Sequence, residues 1–370
     1  MSTTGRDERP TPPASDVATS LDRAGFVRLV SGASGDALAG TGVLARALDA
    51  ADTPFQASVI APFDDPDRTT EADVTVALGR PNAAADHTLP ATPAATAFDI
   101  ARELGAAADP ILALAGTVAG DDIDGTVAEA AEQAGVERRP GLAVPVADLA
   151  DGLAHSTLLS GPFSADEGQA RAMLADLEIA AEPDEDDHRR TASLVALTVT
   201  EDAPPRAADA VGRALHPYAG GPFETVGGYA DVLDAVARDA PGTGIALALG
   251  HDSVHTAALT AWRDHATRAH AAATEATTGR YDGLFVARGD EMPVGTVARL
   301  VADFHAPEPV ALVVTDGEAA VRATDGRDVA TAMDAATAVV GGESVGRGDR
   351  ARARFEVPTA KFIEAFREAA

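Results

Sequence analysis

Apolar and polar positions follow two rhythms along this chain. Short apolar runs, "FVRLV" (26–30), "FQASVI" (55–60) and "DVTVALG" (73–79), have the length and content of buried strands. Between and after them, apolar residues recur at helical spacing. The stretch after Asp36 ends in Val43, Leu44, Ala47 and Leu48, and "AATAFDIARELG" (94–105) closes on Gly105 as a helix-ending glycine. From about 25 to 120 the order is therefore strand, helix, strand, strand, helix, which favours a parallel sheet.

Residues 121–276 read as mostly helical. "SADEGQARAMLADL" (164–177) begins with Ser164 as N-cap and Glu167 three residues on, a capping-box pattern. "DEDDHRRTASLVALTV" (184–199), "PRAADAVGRALHPY" (205–218) and "GGYADVLDAVARDA" (227–240) also carry helical spacing. A long Ala-rich amphipathic segment, 253–277, then leads to Thr278-Gly279. Residues 280–370 return to alternation, with "DGLFVA", "PVALVVT", "EAAVRA" and "RARARFEV" as strands and "VGTVARLVADF", "DVATAMDAATAVVGG" and "TAKFIEAFREA" as helices. The pattern predicts a bilobed α/β protein. Residues 1–24 form a flexible tail, 25–250 a parallel-sheet domain with a helical middle section, 251–279 a connecting helix, and 280–370 a smaller C-terminal α/β domain.

Composition changes this picture in one respect. There are 58 acidic and 29 basic residues, a formal net charge of −29, and the one lysine is Lys361. The acids are scattered among periodic apolar segments, at 46% hydrophobic residues overall, so the chain folds rather than remaining an acidic coil. Such a surface suits high salt, where the Debye length shrinks to about 3 Å at roughly 1 M. Global charge then leaves nucleic acid open as a partner, provided that local arginines hold the phosphates. The sequence contains no cysteine, no signal-peptide pattern and no long apolar span, so a soluble cytoplasmic protein that does not enter membranes is expected.

Candidate chemistry starts at the turn after the first strand, Ser31 to Asp36. It matches neither G-x-x-x-x-G-K-[ST] nor G-x-G-x-x-G. Asp36 is its ionisable group and is either an N-cap or a ligand. Gly40 and Gly42, inside the following helix, predict close approach of helix and sheet.

The order strand, small turn, D-x-L-A-x-x-G-V-L-A-R-A-L resembles the first motif of the DHH phosphoesterase superfamily, in particular its archaeal RecJ-like single-strand exonucleases. Aligned on "VLARAL", the family's histidine falls near Ala33, its first aspartate at Ser34 and its second at Asp36. The second motif falls on Ala77-Leu78-Gly79 without its aspartate. Asp86-His87-Thr88 is the nearest remnant of the D-H-H triplet, and Asp121 stands where the fourth-motif aspartate would lie. "GGYADVLDAVARDAPGTGIALALG" resembles the matching RecJ-like region. "VGGESVGRG" resembles the glycine signature of the DHH-associated C-terminal domain, with Glu343 where histidine is usual.

The resemblance implies a DHH-like domain over 25–250 and a DHH-associated domain over 280–370. It also implies a metal set of Asp36, Asp86, His87 and Asp121. Two-metal hydrolysis needs several carboxylate and imidazole ligands around ions about 3.5–4 Å apart. Ala33, Ser34 and Ala77 supply none, so Asp36 reads as vestigial and no cofactor is expected unless Mn²⁺ or Mg²⁺ serves residual activity.

A second constellation is "GRGDRARARFEV". As a strand it puts Arg350, Arg352 and Arg354 on one face and Ala351, Ala353 and Phe355 on the other. Spacing of about 6.6–7 Å matches roughly one phosphate per nucleotide of a single strand. The face is either a solvated one paired with carboxylates or a nucleic-acid grip. With the glycine signature, the candidate binding set is Gly341, Gly342, Arg347, Gly348, Arg350, Arg352 and Arg354.

"HDSVH" (251–255) offers a helical i, i+4 histidine pair resembling a zinc helix. His265 and His270 could instead line an exposed helix, and nothing compels either to be a third ligand. A serine-hydrolase elbow is missing.

The expected function is a catalytically degenerate RecJ-like scaffold, associated with single-stranded nucleic acid in DNA replication or repair. The alternatives are a Mn²⁺-dependent single-strand exonuclease or phosphoesterase with a rearranged site, and a purely protein-binding subunit. Partners implied by the resemblance are GINS-type replication proteins or a catalytic RecJ-like relative.

Overall fold

A computed structural model describes residues 12–64, 71–80, 84–175, 177 and 184–370. They divide into two compact units. One draws on Met1–Ala61, Asp65–Gly135 and Val236–Ala258, the other on Pro62–Asp64, Val136–Ala235 and Leu259–Ala370.

In the first unit α1 (Ala14–Asp22) precedes β1 (Val27–Gly32), α2 (Gly35–Ala50) and β2 (Phe55–Ile60). β3 (Val74–Leu78), β4 (His87–Leu89), α3 (Pro93–Glu103), α4 (Pro110–Ala119) and α5 (Gly125–Gln133) follow. The four strands form a parallel sheet in the order β2-β1-β3-β4. All six residues of β1 are buried, Arg28 and Ser31 among them, as expected of an inner strand of a parallel sheet. Residues 14–22 are helical, with Val17, Ala18 and Leu21 buried, so this part of the expected tail is folded; residues 1–11 of that tail lie outside the described residues.

α2 is a packing helix made of small residues. A Cβ on Gly40 would lie 2.7 Å from the Pro93 carbonyl oxygen, and one on Gly42 would lie 2.6 Å from that of Ala248. A Cβ on Gly116 of α4 would meet Ala94 Cβ at 2.4 Å and Ala39 Cβ at 2.6 Å. The close approach expected between helix and sheet is thus between helices. Gly105 follows α3 at φ +73°, the helix-ending role that its position predicts.

The helical section begins with β5 (Glu137–Arg138), α6 (Leu149–His155), α7 (Glu167–Ala175), α8 (Glu185–Thr200) and α9 (Ala207–Ala214). It continues through β6 (Tyr218–Ala219), α10 (Val226–Asp239), α11 (Pro241–Ala248) and α12 (His255–Glu275). Asp184 and Asp187 make a reciprocal capping box at α8. At α7 the cap is Asp166, whose carboxylate accepts the Gln169 N–H at 3.0 Å; Ser164 instead accepts from Gly161 N–H at 3.1 Å. A nearer carboxylate outcompetes the hydroxyl that the sequence pattern singled out.

α12 ends at Glu275, because residues 277–281 already pair as a strand. β7 (Thr277–Tyr281), β8 (Leu284–Arg288), α13 (Val294–Leu300), β9 (Val310–Val314) and β10 (Glu318–Ala323) lead to α14 (Val329–Val340), β11 (Glu343–Arg347), β12 (Arg350–Arg354) and α15 (Thr359–Ala369). The sheet order is β11-β12-β10-β9-β8-β7; β8 and β9 are parallel and the other pairs antiparallel. Leu312, Val314, Val321, Ala351 and Ala353 on one face join Met333 of α14 and Phe362 and Phe366 of α15 in one core. Ala311, Val313 and Ala320 on the other face join Leu153, Phe163, Val195 and Val297 in a second. The helices between 149 and 214 therefore share a core with the C-terminal sheet; after Gly135 the chain passes to the second unit, returns to the first over Val236–Ala258 and passes back at Leu259.

Candidate functional site

At the end of β1 the N-cap of α2 is Ser34, which accepts the Ala37 N–H, so Asp36 is not the cap but sits in the first turn. Its Oδ1 accepts the Ala94 N–H at 2.9 Å, in the first turn of α3. This placement suits a carboxylate beside the partial positive charge of a helix start. From α4's end the residue facing Asp36 is Gly120: a Cβ there would lie 2.9 Å from Asp36 Oδ2. Asp121, one residue later, is exposed with φ +61°.

The other two expected ligands lie elsewhere. Asp86 N–H donates to the Thr75 carbonyl at 2.9 Å, and Asp86 Oδ2 accepts the Thr75 N–H at 2.8 Å. Thr75 pairs with Arg28 near the start of β1, and His87 pairs with Val76. Asp86 thus stands about 13 Å, roughly four strand residues, before the end of β1 where Asp36 begins its helix. The register of β4 separates what sequence order brought together. Among the described residues, Asp36, Asp86, His87 and Asp121 make no shared group of three ligand atoms, and the described residues at this strand end do not fit a two-metal centre.

The group that does converge, within the same described residues, is Asp151, His155 and Glu167, whose ligand atoms lie within 4.8 Å of one another. Guanidinium groups already serve it. Arg263 grips Asp151 through two bonds of 2.9 and 2.7 Å, and Arg171 reaches Glu167 at 3.0 Å. The Arg263 hydrogen bonds hold the Asp151 carboxyl below its ordinary range. This is an ion-pair cluster tying α6, α7 and α12, and the two guanidinium charges oppose a divalent cation.

"HDSVH" is not one helical turn. His251 precedes a short 3-10 turn over Asp252–Val254, and α12 starts at His255, which breaks the i, i+4 geometry. His265 and His270 are buried rather than lining an exposed helix. His265 Nε2 lies 2.8 Å from Thr296 Oγ1. His270 Nε2 lies 2.9 Å from the Ser156 carbonyl, and its buried Nδ1 has no hydrogen-bond partner among the described residues. Burial pushes the His270 pKa from its ordinary 6.5 down to about 4.

Nearby runs a polar network that sequence reasoning missed. Buried Asp231 accepts from Thr157 N–H at 2.9 Å, from the Thr157 hydroxyl and from Trp262 Nε1 at 2.8 Å. Arg299 donates to the Thr157 carbonyl and hydroxyl oxygens, both at 2.8 Å. The available signal was an aspartate on the apolar side of a helix, four residues before buried Ala235.

The arginine strand has the expected two-sided form. Ala351, Ala353 and Phe355 are buried, while Arg350 and Arg354 are exposed and Arg352 is half-buried. Its far end is paired: Arg354 reaches Glu343 at 2.8 Å, and Arg352 reaches Glu318 at 3.5 Å. The near end lies beside Gly348 (φ +58°), whose carbonyl accepts Val329 and Ala330 N–H at the start of α14. Gly341 ends α14 at φ +81°, and a Cβ on Gly342 would lie 2.5 Å from the Arg354 carbonyl oxygen. These glycines have conformational roles at the positions proposed for binding.

A family described as the C-terminal domain of uncharacterized protein rrnAC1427 matches residues 276–368, the span from β7 almost to the end of α15. Uncharacterized protein rrnAC1427 of Haloarcula marismortui is 71% identical over 371 residues, covering 100% of both chains. The chain belongs to the rrnAC1427 family. Its fold is similar to that of CDC45 from Entamoeba histolytica, with TM-score 0.56 and 8% identity over 96% of this chain and 98% of that one. An exonuclease RecJ bound to manganese gives 0.52 at 14% identity, over 98% and 94% of the two chains. RecJ from Thermus thermophilus with Mn²⁺ gives 0.53 at 14% identity; the rrnAC1427-family chain spans 55% of its length. The family thus has the RecJ- and CDC45-like α/β fold that the DHH resemblance implies. Among the described residues no helix is long and apolar enough to cross a membrane.

Proposed function

We propose that the protein is a non-cleaving, cytoplasmic scaffold that associates with single-stranded nucleic acid in DNA replication or repair. One observation carries this reading: Asp36, the carboxylate at the end of β1, bonds the start of α3 and is faced by Gly120. A carboxylate engaged by the protein and opposed by a glycine supplies too few oxygens for two divalent ions. The likeness to both RecJ and CDC45 supports a DHH-type, nucleic-acid-associated role. The grip lies on the C-terminal sheet, where Arg347 and Arg350 are exposed. The expected protein partners are GINS-type replication proteins or a catalytic RecJ-like relative.

The test is hydrolysis and binding of single-stranded DNA in molar KCl, with and without Mn²⁺. Binding without hydrolysis is expected. Mn²⁺-stimulated cutting that Asp36→Ala abolishes would replace this reading with the exonuclease. Absence of any affinity for single strands would leave a purely protein-binding subunit.

A further inference from the structure

Strand register puts three arginines in one row. On β10, β12 and β11, Arg322 stands opposite Arg350, and Arg350 stands opposite Arg347. Directly opposed residues on antiparallel strands share a face, with Cβ atoms about 4.5–5.5 Å apart. The three side chains therefore rise within about 10 Å of one another. Arg347 and Arg350 are exposed and Arg322 is half-buried.

The opposite end of the same three strands is built differently. There the row reads Glu318, Arg354, Glu343, alternating in sign, with Arg354 bonded to Glu343 at 2.8 Å. Elsewhere on the sheet Arg280 meets Glu308 at 2.6 Å. In the triple-arginine row both cross-strand pairings set arginine against arginine, and Asp349 lies 3.7 Å from Arg350 Nε. Like charges directly opposite oppose strand pairing. A chain with 58 acids and 29 bases could readily have placed a carboxylate at one of these three positions, as it does at the other end. Planar guanidinium groups that converge on an exposed face match the oxygens of a phosphate, which they bind through paired N–H bonds.

We propose that the Arg322–Arg350–Arg347 row is a phosphate-binding site that seats a phosphodiester group of a single strand. This rests on the single-strand reading above and adds to it: Arg322, which the linear pattern did not single out, belongs to the site, whereas Arg354 serves the sheet. A strand anchored here is held across three protein strands rather than along β12.

The experiment measures binding of fluorescein-labelled oligothymidylate and of inorganic polyphosphate to the full chain over a KCl series. It uses wild type, the triple variant Arg322→Gln/Arg347→Gln/Arg350→Gln, the single variant Arg347→Gln, and Arg354→Gln. The triple variant should weaken both ligands at least about tenfold. It should also flatten the slope of log K against log[KCl] by about one for each phosphate no longer neutralised. Arg347→Gln should weaken both about threefold or more, and Arg354→Gln should stay within about twofold. Urea unfolding of the triple variant checks that it is folded, and binding is compared only between folded proteins. If wild type binds oligothymidylate and the triple variant binds it equally well, the site is overturned and the single-strand reading survives. Polyphosphate binding that depends on the row, without oligothymidylate binding, upholds a phosphate site and removes the single-strand reading. Failure of wild type to bind either ligand overturns both.

Discussion

The end of β1 and the near end of β12 use charge in opposite ways. At β1 one carboxylate, Asp36, turns inward and accepts an amide N–H, surrounded by glycines that let helices approach closely. At β12 guanidinium groups on three strands share an outward face. The first is a charge absorbed into packing, and the second sets like charges side by side. A turn whose residues also serve packing is weak evidence for chemistry, even where it resembles a catalytic motif. An arrangement that strand pairing disfavours is better evidence for a ligand.

The largest effects should come from disturbing the packed frame. Gly116→Val places atoms where a Cβ already lies 2.4 Å from Ala94 Cβ, and should cost about 3 kcal/mol or prevent folding. Gly348→Ala, in the open turn beside the arginine row, should cost about 1 kcal/mol for its positive φ alone. Urea unfolding of both variants measures that contrast, and equal losses would break it.

Acid tests the interior of the second unit. The His270 pKa is lowered on folding, so the unfolded chain binds the proton more readily. The neutral ring's contribution is complete above about pH 6.5 and declines as pH falls toward about 4, by up to about 3 kcal/mol. His270→Gln should flatten this slope in urea midpoints measured across that window; an unchanged slope would assign the acid sensitivity to other groups.

Gly120→Asp introduces a carboxylate opposite Asp36 and should destabilise the chain by about 2 kcal/mol through crowding and like charge. Mn²⁺ should not recover the loss, because two carboxylates still leave the ion short of ligands. Recovery of stability together with strand cutting would undo the ligand-count argument. Asp36→Ala should cost about 1–2 kcal/mol by leaving the Ala94 N–H without its acceptor, equally with and without Mn²⁺. The smallest effect should be that of Arg354→Ala, under about 1 kcal/mol for exposed ion pairs and smaller still in molar salt.

Much of the fold was legible because burial leaves a periodic trace. β1, β3, β8, β9, β10 and β12 coincide with apolar or alternating runs, and α3, α8, α9 and α10 with helical spacing; β2 forms where "FQASVI" predicts a strand, but as the edge strand of its sheet it is half-buried or exposed rather than buried. Short or polar strands left no such trace. β4 has three residues, and β11, "ESVGR", is an edge strand with little apolar content. The candidate site was less legible. Asp86 and His87 looked like neighbours of Asp36, since linear order does not reveal which end of a parallel strand a residue occupies. Arg322 and Arg350 lie far apart in numbering and are opposed only through β10–β12 register. His265 and His270 sit on an Ala-rich helix whose alanines give little sign of which side is covered.

By itself the sequence determined the element types, the parallel sheet of the first unit, the excess of acidic residues and the presence of one ionisable side chain, Asp36, in the first turn. These follow from local periodicity and from which side chains exist at all. Tertiary structure decided which charges meet: it moved Asp86 to the far end of the sheet, set Gly120 against Asp36, buried Asp231 beside Trp262 and aligned three arginines across strands. Strand register and helix packing fix those distances, and neither is encoded at the range of a motif.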